Sequence, residues 1–432
     1  MSTLAVILGA GPAGIGPLVN AQQRGLLPRL LAAGVTLVDT QDRMGRGTIG
    51  RYRINSDTTG GTFLECLAGQ QDDLFGRVFG TEALRRLEEF RQSAAPLRLV
   101  GDFLAEIGGA LRYAIDAHPA SGFRPGTRAV SVRRTAGGFA TTVEPAGGGE
   151  PVELHSRYVV SALGGRQDRD RALTAAIVPG VRLDRHADRV LLTEHVLDAD
   201  GPARLEKMLA AAGHRRVVII GGSHSAFSSA WVLLNEVNAE FGPGDITMLH
   251  RSTPRIFYPT AADAHADGYT DFGAGDLCPL TDRVYRLAGL RWDSRELLRR
   301  IWSVGGAPAE DRVRLRRLDP ALDDGVSALL DDAAVIIPAF GYRPATIPVL
   351  DEHGRPVPLR DGGSGRPPLV DDRCRVLDAD GRPVPGLLGI GLAAGFALDG
   401  PLGGEPSFTG QTNGLWLYQN GIGERILDQL LG

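Results

Sequence analysis

Short apolar runs alternate along the chain with helix-like amphipathic stretches. Residues 4–8 read LAVIL and residues 35–38 read VTLV, and the segment between them opens with glycines and continues as a helix. The same order recurs with VVII at residues 217–220 and ITML at residues 246–249. A buried strand, a glycine turn, a helix and a second strand form a βαβ unit. The sequence therefore predicts an α/β fold with two Rossmann-like units.

The pattern outside these units predicts further elements. Helices are expected over residues 81–93 and 100–114, a β-hairpin over residues 127–145, and a last amphipathic helix over residues 412–431. Residues 253–292 are rich in Gly, Pro and Asp, which is typical of a functional loop, and their aromatic residues favour order. Further short strands are predicted at residues 158–162, 335–339 and 387–391.

The first glycine cluster matches G-x-G-x-x-G in full. Gly9 permits the tight turn, Gly11 lets a pyrophosphate approach the backbone, and Gly14 allows the helix to pack on the strand. Asp39, at the end of the next strand, suits a hydrogen bond to a ribose hydroxyl. The motif therefore predicts a dinucleotide site. Its residues are Gly9, Gly11, Pro12, Ala13, Gly14 and Asp39.

The second glycine cluster is less regular, because Ser223 and Ala226 replace two of its glycines. The strand after it ends in HRS at residues 250–252 with no acid, and an arginine there pairs with the 2′-phosphate of NADPH. The alternative is a solvated surface arginine. His224 either donates to a phosphate or ribose, or only fills space at the helix start. The predicted NADPH-binding residues are Gly221, Ser223, His224, Ser225, Arg251 and Ser252.

Composition narrows the function classes. Of the 432 residues, 43% are apolar and 23% charged, as in soluble globular proteins. The net charge is −4 and no long basic run occurs, which argues against nucleic-acid binding. Neither a signal peptide nor a membrane helix is predicted, because a basic leader and a run of about 20 apolar residues are both absent.

The three cysteines, Cys66, Cys278 and Cys374, are far apart and form no C-x-x-C pair. A dithiol centre, a four-thiolate zinc site and an iron–sulfur cluster are therefore disfavoured, and no metal site is predicted. A disulfide framework is disfavoured too, which makes a reducing cytoplasm the expected location. The oligomeric state stays open, including a homo-oligomer.

Two dinucleotide motifs in one chain resemble the flavoproteins with two dinucleotide-binding domains. Within them the chain most resembles the class B flavin monooxygenases of the N-hydroxylating branch. Besides the glycine motifs and Arg251, SALGG at residues 161–165 resembles the family's A-T-G segment, and AFGY at residues 339–342 resembles its A-T-G-Y. Residues 257–272 lie where that branch has an insertion near the substrate.

The chain departs from neighbouring subclasses. The Baeyer–Villiger fingerprint F-x-G-x-x-x-H-x-x-x-W and the F-x-G-x-x-x-H core of animal-type amine oxygenases are absent, and no tryptophan follows Gly45-Arg46-Gly47. Residues 389–392 lack the G-D aspartate of disulfide reductases. With these subclasses disfavoured, the resemblance leaves the N-hydroxylating branch or a branch outside the subclasses compared.

The resemblance implies an FAD domain made of residues 1–165 and 330–432, interrupted by an NADPH domain at residues 166–329. It implies that NADPH reduces FAD and that a flavin C4a-hydroperoxide transfers oxygen to the nitrogen of a small amine or amino acid. The expected partners are a small-molecule substrate and dioxygen. Two alternatives stay open: an FAD-containing reductase that passes electrons to a quinone, small molecule or protein, and a non-catalytic nucleotide-binding regulatory protein.

The resemblance also implies residues beside the flavin. The polar loop from Asn55 is expected near the isoalloxazine ring, and Gln411 is expected to open the last helix, whose N-terminus stabilises the reduced ring. The alternatives are a plain turn, N-capping by Thr409 or Thr412, and a core role for Tyr342. Asn55 and Gln411 are the catalytic candidates. The cofactor-binding candidates are Gly45, Gly47, Ser56, Val130, Ala162, Gly164, Gly341, Tyr342, Gly391, Gln411, Thr412 and Asn413.

Overall fold

The computed structural model describes residues 3–70, 74–363, 366–392, 394–396, 403–412 and 414–432. The strands are β1 (Thr3–Leu8), β2 (Val35–Val38), β3 (Asn55–Thr59), β4 (Ala94–Pro96), β5 (Gly122–Arg124), β6 (Thr127–Thr135), β7 (Gly138–Pro145), β8 (Val152–Ser161), β9 (Gly165–Arg166), β10 (Val217–Ile220), β11 (Ile246–His250), β12 (Val313–Arg317), β13 (Val335–Pro338), β14 (Arg343–Pro344), β15 (Val349–Leu350), β16 (Arg375–Leu377) and β17 (Pro383–Gly389). The helices are α1 (Pro12–Gln23), α2 (Leu27–Ala32), α3 (Gly60–Leu64), α4 (Glu82–Glu88), α5 (Leu97–Asp116), α6 (Arg169–Thr174), α7 (Thr193–Leu197), α8 (Gly201–Ala212), α9 (His224–Asn235), α10 (Ala261–Ala266), α11 (Trp292–Trp302), α12 (Val326–Asp331), α13 (Leu415–Gln419) and α14 (Gly421–Leu431).

The first βαβ unit belongs to a nine-stranded sheet. Its path runs β15-β6-β7-β8-β1-β2-β5, with β17 beside β8 and β16 beside β17. β1 pairs in parallel with β2 and β8, which puts Ile7 opposite Leu37 and Val160. The hairpin predicted over residues 127–145 is confirmed as β6 and β7.

The second βαβ unit belongs to a four-stranded parallel sheet with the order β12-β11-β10-β13. Because β13 pairs with β10, residues 335–338 belong to this sheet, and the return to the first unit predicted near residue 330 is too early. The two chain segments that connect the units lie side by side. Their strands β9 and β14 pair with each other, and Arg166 lies opposite Arg343.

Both sheets are covered on each face, which follows from the apolar runs in the sequence. Ile7 of β1 packs into the cluster beneath α1, α5 and α14, while Val6 and Leu8 pack into a cluster on the opposite face. In β10, Ile219 and Ile220 likewise enter different clusters. Strands buried on both faces are expected to read as continuous apolar runs, and these do.

The last helix differs from its prediction. Residues 412–431 contain two helices, α13 and α14, separated at Asn420, whose φ and ψ are both −115°. A Cβ at Gly16 of α1 would overlap the Tyr418 carbonyl oxygen, so α1 approaches the break at backbone distance. The side-chain amide of buried Asn20 donates to the Gln419 carbonyl at 3.1 Å. Packing against α1 thus accompanies the break.

The long segment after β11 is ordered, as its aromatic residues predicted. Tyr258 is fully buried and stacks on Tyr269 with ring centroids 5.4 Å apart. The segment contains the short helix α10, and Ile256 and Tyr258 form isolated bridges to Leu290 and Val284. The segment therefore packs on the second unit.

Two features of the described chain bear on function. Its helices are all too short or too polar to cross a membrane. Its His, Cys, Asp and Glu side chains nowhere gather in groups of three or more that could hold a metal ion.

Candidate functional site

A cavity of about 1120 Å³ is lined by both βαβ units and by residues 283–294. The fold brings to its wall many residues that the sequence singled out. These are Gly9, Gly11, Pro12, Ala13, Asp39, Gly47, Asn55, Ser56, Ala162, Gly164, His224, Ser225, Tyr342, Gln411 and Thr412.

Other predicted residues lie off the cavity wall. They are Gly14, Gly45, Val130, Gly221, Ser223, Arg251, Ser252, Gly341 and Gly391, while Asn413 lies outside the described residues. Several of the glycines shape the wall from behind. A Cβ at Gly45 would overlap the Leu104 carbonyl oxygen of α5, and one at Gly391 would lie 3.2 Å from the Ala13 Cβ.

Val130 lies beside the cavity wall, at an irregularity of β6. A register shift between Ala129 and Ser131 interrupts the pairing of β6 with β7, and the Val130 side chain is 36% exposed. Such a bulge re-aims side chains along the strand. Thr127, Arg128 and Ala129 line the cavity, whereas Val130 lies off its wall.

The three motif glycines of the first turn serve different purposes. Gly9 has φ of +96°, and a Cβ there would overlap the Ala162 carbonyl oxygen. A Cβ at Gly14 would overlap the Gly9 carbonyl oxygen. A Cβ at Gly11 would meet nothing closer than the Gly47 Cα at 3.4 Å. The fold itself requires Gly9 and Gly14, whereas Gly11 keeps open a space on the cavity wall that suits a pyrophosphate.

Asp39 is held at the end of β2 by backbone donors. Its Oδ2 accepts from the Ala10 N–H at 2.6 Å, and its Oδ1 accepts from the Gln41 N–H at 2.8 Å. Each carboxylate oxygen has further acceptor capacity. The carboxylate is therefore fixed beside the turn and can accept hydrogen bonds from ribose hydroxyls.

Asn55 and Ser56 begin β3, on the cavity wall. The Asn55 Nδ2 donates to Asp293 Oδ2 at 2.8 Å, which joins the first unit to α11. Burial raises the pKa of the Asp293 carboxyl, and the Asn55 hydrogen bond partly opposes that shift. The Ser56 hydroxyl is engaged by the backbone, since it donates to the Thr58 carbonyl and accepts from the Ala95 N–H. The polar pair facing the cavity is thus Asn55 and Asp293.

His224 begins α9, on the other side of the cavity. Its Nε2 is buried and has no hydrogen-bond partner among the described residues. Burial lowers the pKa of the imidazole, so the ring is neutral near pH 7. Ser225, Ser228 and Trp231 continue this wall along α9. A buried polar nitrogen without a partner at a helix start marks a place where a polar ligand group fits.

Arg251 and Ser252 follow β11 and are exposed. The Arg251 Nη2 donates to the Ala176 carbonyl at 3.2 Å.

Gln411 and Thr412 hydrogen-bond to backbone carbonyls. The Gln411 Nε2 donates to the Arg366 carbonyl at 2.9 Å, and the Thr412 hydroxyl donates to the Phe396 carbonyl at 2.9 Å.

The prediction that Gln411 and Thr412 open the last helix is wrong. The helix α13 begins at Leu415, with Gly414 as its N-cap. Neither Thr409 nor Thr412 caps it. Thr412 instead forms an isolated antiparallel β-bridge with Phe396. Both residues nevertheless lie on the cavity wall.

Several wall residues were missed by reading the sequence. They are Ser228, Trp231, Arg283, Arg286, Leu287, Arg291, Asp293, Ser294 and Phe408, among others. The one available signal was the spacing of three arginines in RVYRLAGLR at residues 283–291. A run of charge is usually a solvated face, so this signal becomes meaningful only with the fold.

Comparison with known proteins gives a relative over the full length. No family model matches the sequence. The CMP-5′-(3-aminopropyl)phosphonate hydroxylase of Streptomyces rubellomurinus is 34% identical over 443 residues, which cover 99% of this chain and 97% of that protein.

Solved structures show the same fold at lower identity. An ornithine N-hydroxylase of Kutzneria sp. 744, in complex with reduced FAD, NADP⁺ and L-ornithine, has a TM-score of 0.56 and 15% identity over 99% of both chains. The L-lysine 6-monooxygenase of Pseudomonas syringae has a TM-score of 0.53 and 14% identity over 99% of both chains. With a hydroxylase relative that matches almost end to end, the chain belongs to the family of that hydroxylase, and it has the two-unit fold of the ornithine and lysine N-hydroxylating flavin monooxygenases.

Proposed function

We propose that the protein uses FAD and NADPH to hydroxylate the nitrogen of an amine. One observation carries the proposal: a single cavity extends from the Gly9–Gly14 turn past Asn55 to the start of α9. Bound FAD supplies the redox chemistry, so the chain itself needs no acid–base pair for oxygen transfer. Amine, O₂, NADPH and one proton give hydroxylamine, water and NADP⁺.

The first turn supports FAD binding. The space at Gly11 and the N-terminus of α1 suit the pyrophosphate, and the fixed Asp39 carboxylate suits the ribose. Asn55, Gln411 and Thr412 on the same wall are then proposed to face the isoalloxazine end. A site built in this way binds an extended dinucleotide along one side of the cavity.

The start of α9 supports NADPH binding opposite the flavin. His224 offers a neutral ring whose Nε2 has no protein partner among the described residues, and Ser225 lies beside it. The nicotinamide must meet the flavin for hydride transfer, and both walls border the same cavity. A bound nucleotide there also excludes water from the reacting atoms.

Asn55 and Asp293 are proposed to hold the amine. An amine must be uncharged to offer its lone pair, and the Asp293 carboxylate can hold a proton or accept an N–H hydrogen bond. The Asn55 amide keeps its carbonyl oxygen as an acceptor after its Nδ2 donates to Asp293. The pair can therefore orient the nitrogen without taking part in the oxygen transfer.

The relatives suggest the kind of amine. The names of the Streptomyces relative and of the ornithine and lysine enzymes all describe compounds with a primary amine on an alkyl chain. We propose a primary alkylamine as the reacting group of this protein's substrate.

The test is oxygen incorporation by the purified flavoprotein. Primary alkylamines are screened for stimulation of NADPH oxidation, and the products made under ¹⁸O₂ are examined by mass spectrometry. The expected product is a hydroxylamine that carries one labelled oxygen. If every amine leaves the rate unchanged and all electrons appear as hydrogen peroxide, the reductase alternative replaces this proposal. A colourless protein that binds nucleotides without oxidising them would favour the regulatory alternative.

Replacing His224 by alanine is expected to raise the KM for NADPH by about five- to tenfold, because one hydrogen bond of about 1 kcal/mol is lost. His224→Gln is expected to restore part of the affinity through its amide. Steady-state kinetics with NADPH varied check this. Equal KM values for wild type and His224→Ala would support the space-filling role of this side chain.

Replacing Arg251 by alanine tests the NADPH preference. If its guanidinium turns from the Ala176 carbonyl to a 2′-phosphate, we expect NADPH to lose about ten- to hundredfold in kcat/KM and NADH to lose little. Arg251 is exposed, so the substitution leaves the fold intact. Equal changes for both nucleotides would assign the 2′-phosphate to a different contact.

A further inference from the structure

Three arginines lie together on one part of the cavity wall, namely Arg283, Arg286 and Arg291. Burial lowers the pKa of Arg291, the Asp57 carboxylate opposes that shift, and the charges of Arg283 and Arg286 then lower the pKa further. Arg286 and Arg291 are partly buried and Arg283 is exposed. Bringing like charges together is unfavourable unless an anion joins them.

Arg291 is fixed in place by uncharged groups. Its Nη2 donates to the Arg286 carbonyl, and its guanidinium lies 4.9 Å from the centre of the Phe257 ring. Among the described residues, no carboxylate lies within 4.0 Å of the guanidinium nitrogens of Arg283 or Arg291. The Arg286 Nη1 donates to Cys278 Sγ at 3.3 Å.

Two described carboxylates near this part of the wall, those of Glu405 and Asp57, form no ion pair with Arg283 or Arg291. Glu405 is 3% exposed, and its oxygens accept from the N–H groups of Leu287 and Ala288 at 2.7–3.0 Å. Asp57 also lines the cavity and attracts Arg291, but from beyond ion-pair distance. Among the residues that the structure describes, Arg283 and Arg291 therefore keep positive charge on the cavity wall that no ion pair neutralises.

The position of the cluster relates it to the proposed amine site. Arg291 is the N-cap of α11, and Asp293 lies in the first turn of the same helix. The same stretch of wall thus offers cations at one end and the Asn55–Asp293 pair at the other. A short molecule with an anion at one end and an amine at the other matches both.

We propose that Arg283 and Arg291 form a subsite for a phosphonate or phosphate group of the amine substrate, with Arg286 on the same wall. The inference rests on the proposed function, because it places the anion relative to the reacting nitrogen. A phosphonate offers three oxygens and up to two charges, which suits two guanidinium forks better than a carboxylate does. The Streptomyces relative, whose named substrate carries a phosphonate, supports this choice.

The experiment compares three amines that share an aminopropyl chain: 3-aminopropylphosphonate, 4-aminobutyrate and butylamine. With wild-type holoenzyme and NADPH, we expect kcat/KM for the phosphonate to exceed that for butylamine by about tenfold or more. In Arg291→Met and Arg283→Met this ratio is expected to fall by about tenfold, and Arg291→Lys is expected to restore part of it. Arg314→Met, at an exposed position of β12 away from the cavity, is the control that keeps the ratio.

Binding is measured separately by titrating the oxidised holoenzyme with 3-aminopropylphosphonate and following the flavin spectrum. If Arg291→Met binds the phosphonate more weakly than wild type, but wild type hydroxylates none of the amines, the subsite is supported and the proposed function is overturned. A preference for 4-aminobutyrate would assign the cluster to a carboxylate and overturn the inference. An unchanged ratio together with a raised KM for NADPH would make the nucleotide phosphate its ligand, which also overturns it.

Discussion

A Gly11→Val protein is expected to fold and to purify without flavin. A Cβ at this position meets nothing closer than 3.4 Å, and the Gly11 φ of −72° is open to any residue, so the fold accepts the change. The branched methyl groups enter the space proposed for the pyrophosphate. We expect flavin affinity to fall by about a hundredfold, which corresponds to roughly 2.8 kcal/mol. The ratio of flavin to protein absorbance after purification measures the loss.

Two glycine variants serve as controls for this result. Gly109→Val places the same side chain on the exposed face of α5, where nothing lies within 4 Å, and is expected to keep its flavin. Gly14→Val is expected to fail to fold, because its Cβ overlaps the Gly9 carbonyl oxygen. A folded Gly11→Val protein with full flavin occupancy would show that the pyrophosphate does not lie at this turn.

Replacing Asn55 by aspartate is expected to lower kcat/KM for the amine by about ten- to hundredfold with flavin retained. The change removes the donor to Asp293 Oδ2 and puts a second carboxylate beside it. The pKa of Asp293 is already raised by burial, and both changes raise it further. Because the amine site needs the carboxylate ionised, the acidic limb of the pH profile should move to higher pH.

The exchange of the two residues provides the control. In the double variant Asn55→Asp, Asp293→Asn, an amide and a carboxylate again face each other, with the donor on α11. We expect kcat/KM for the amine to be at least about tenfold higher in the double variant than in Asn55→Asp. Steady-state kinetics between pH 6 and 9 check both results. If the single variant keeps the wild-type pH profile, the pair does not hold the amine.

The parts of the fold that the sequence predicted well are local in origin. Gly9, Gly14 and the buried strand before them form a turn whose geometry depends on neighbours within a few residues, apart from Ala162. The same holds for β10 and the start of α9, where His224 was correctly placed at a helix start. Local steric rules and periodicity are sufficient for such elements.

The missed features depend on contacts between distant parts of the chain. The break at Asn420 accompanies packing against Gly16 and Asn20 of α1, which no periodicity in the last segment reveals. Asp293 becomes a site residue only because α11 packs beside β3 and brings it to Asn55. The boundary after β13 depends on which sheet accepts an apolar strand, and either sheet would suit its sequence.

The adjacent strands β9 and β14 have an evolutionary consequence. The chain leaves the first unit and returns to it through two strands that are paired with each other, and the Ala345 N–H donates to the Gly164 carbonyl at 2.8 Å beside them. An insertion with neighbouring ends interrupts its host at a single point. A second βαβ unit can therefore be added to such a host by one gene insertion into one loop, while the host sheet stays intact.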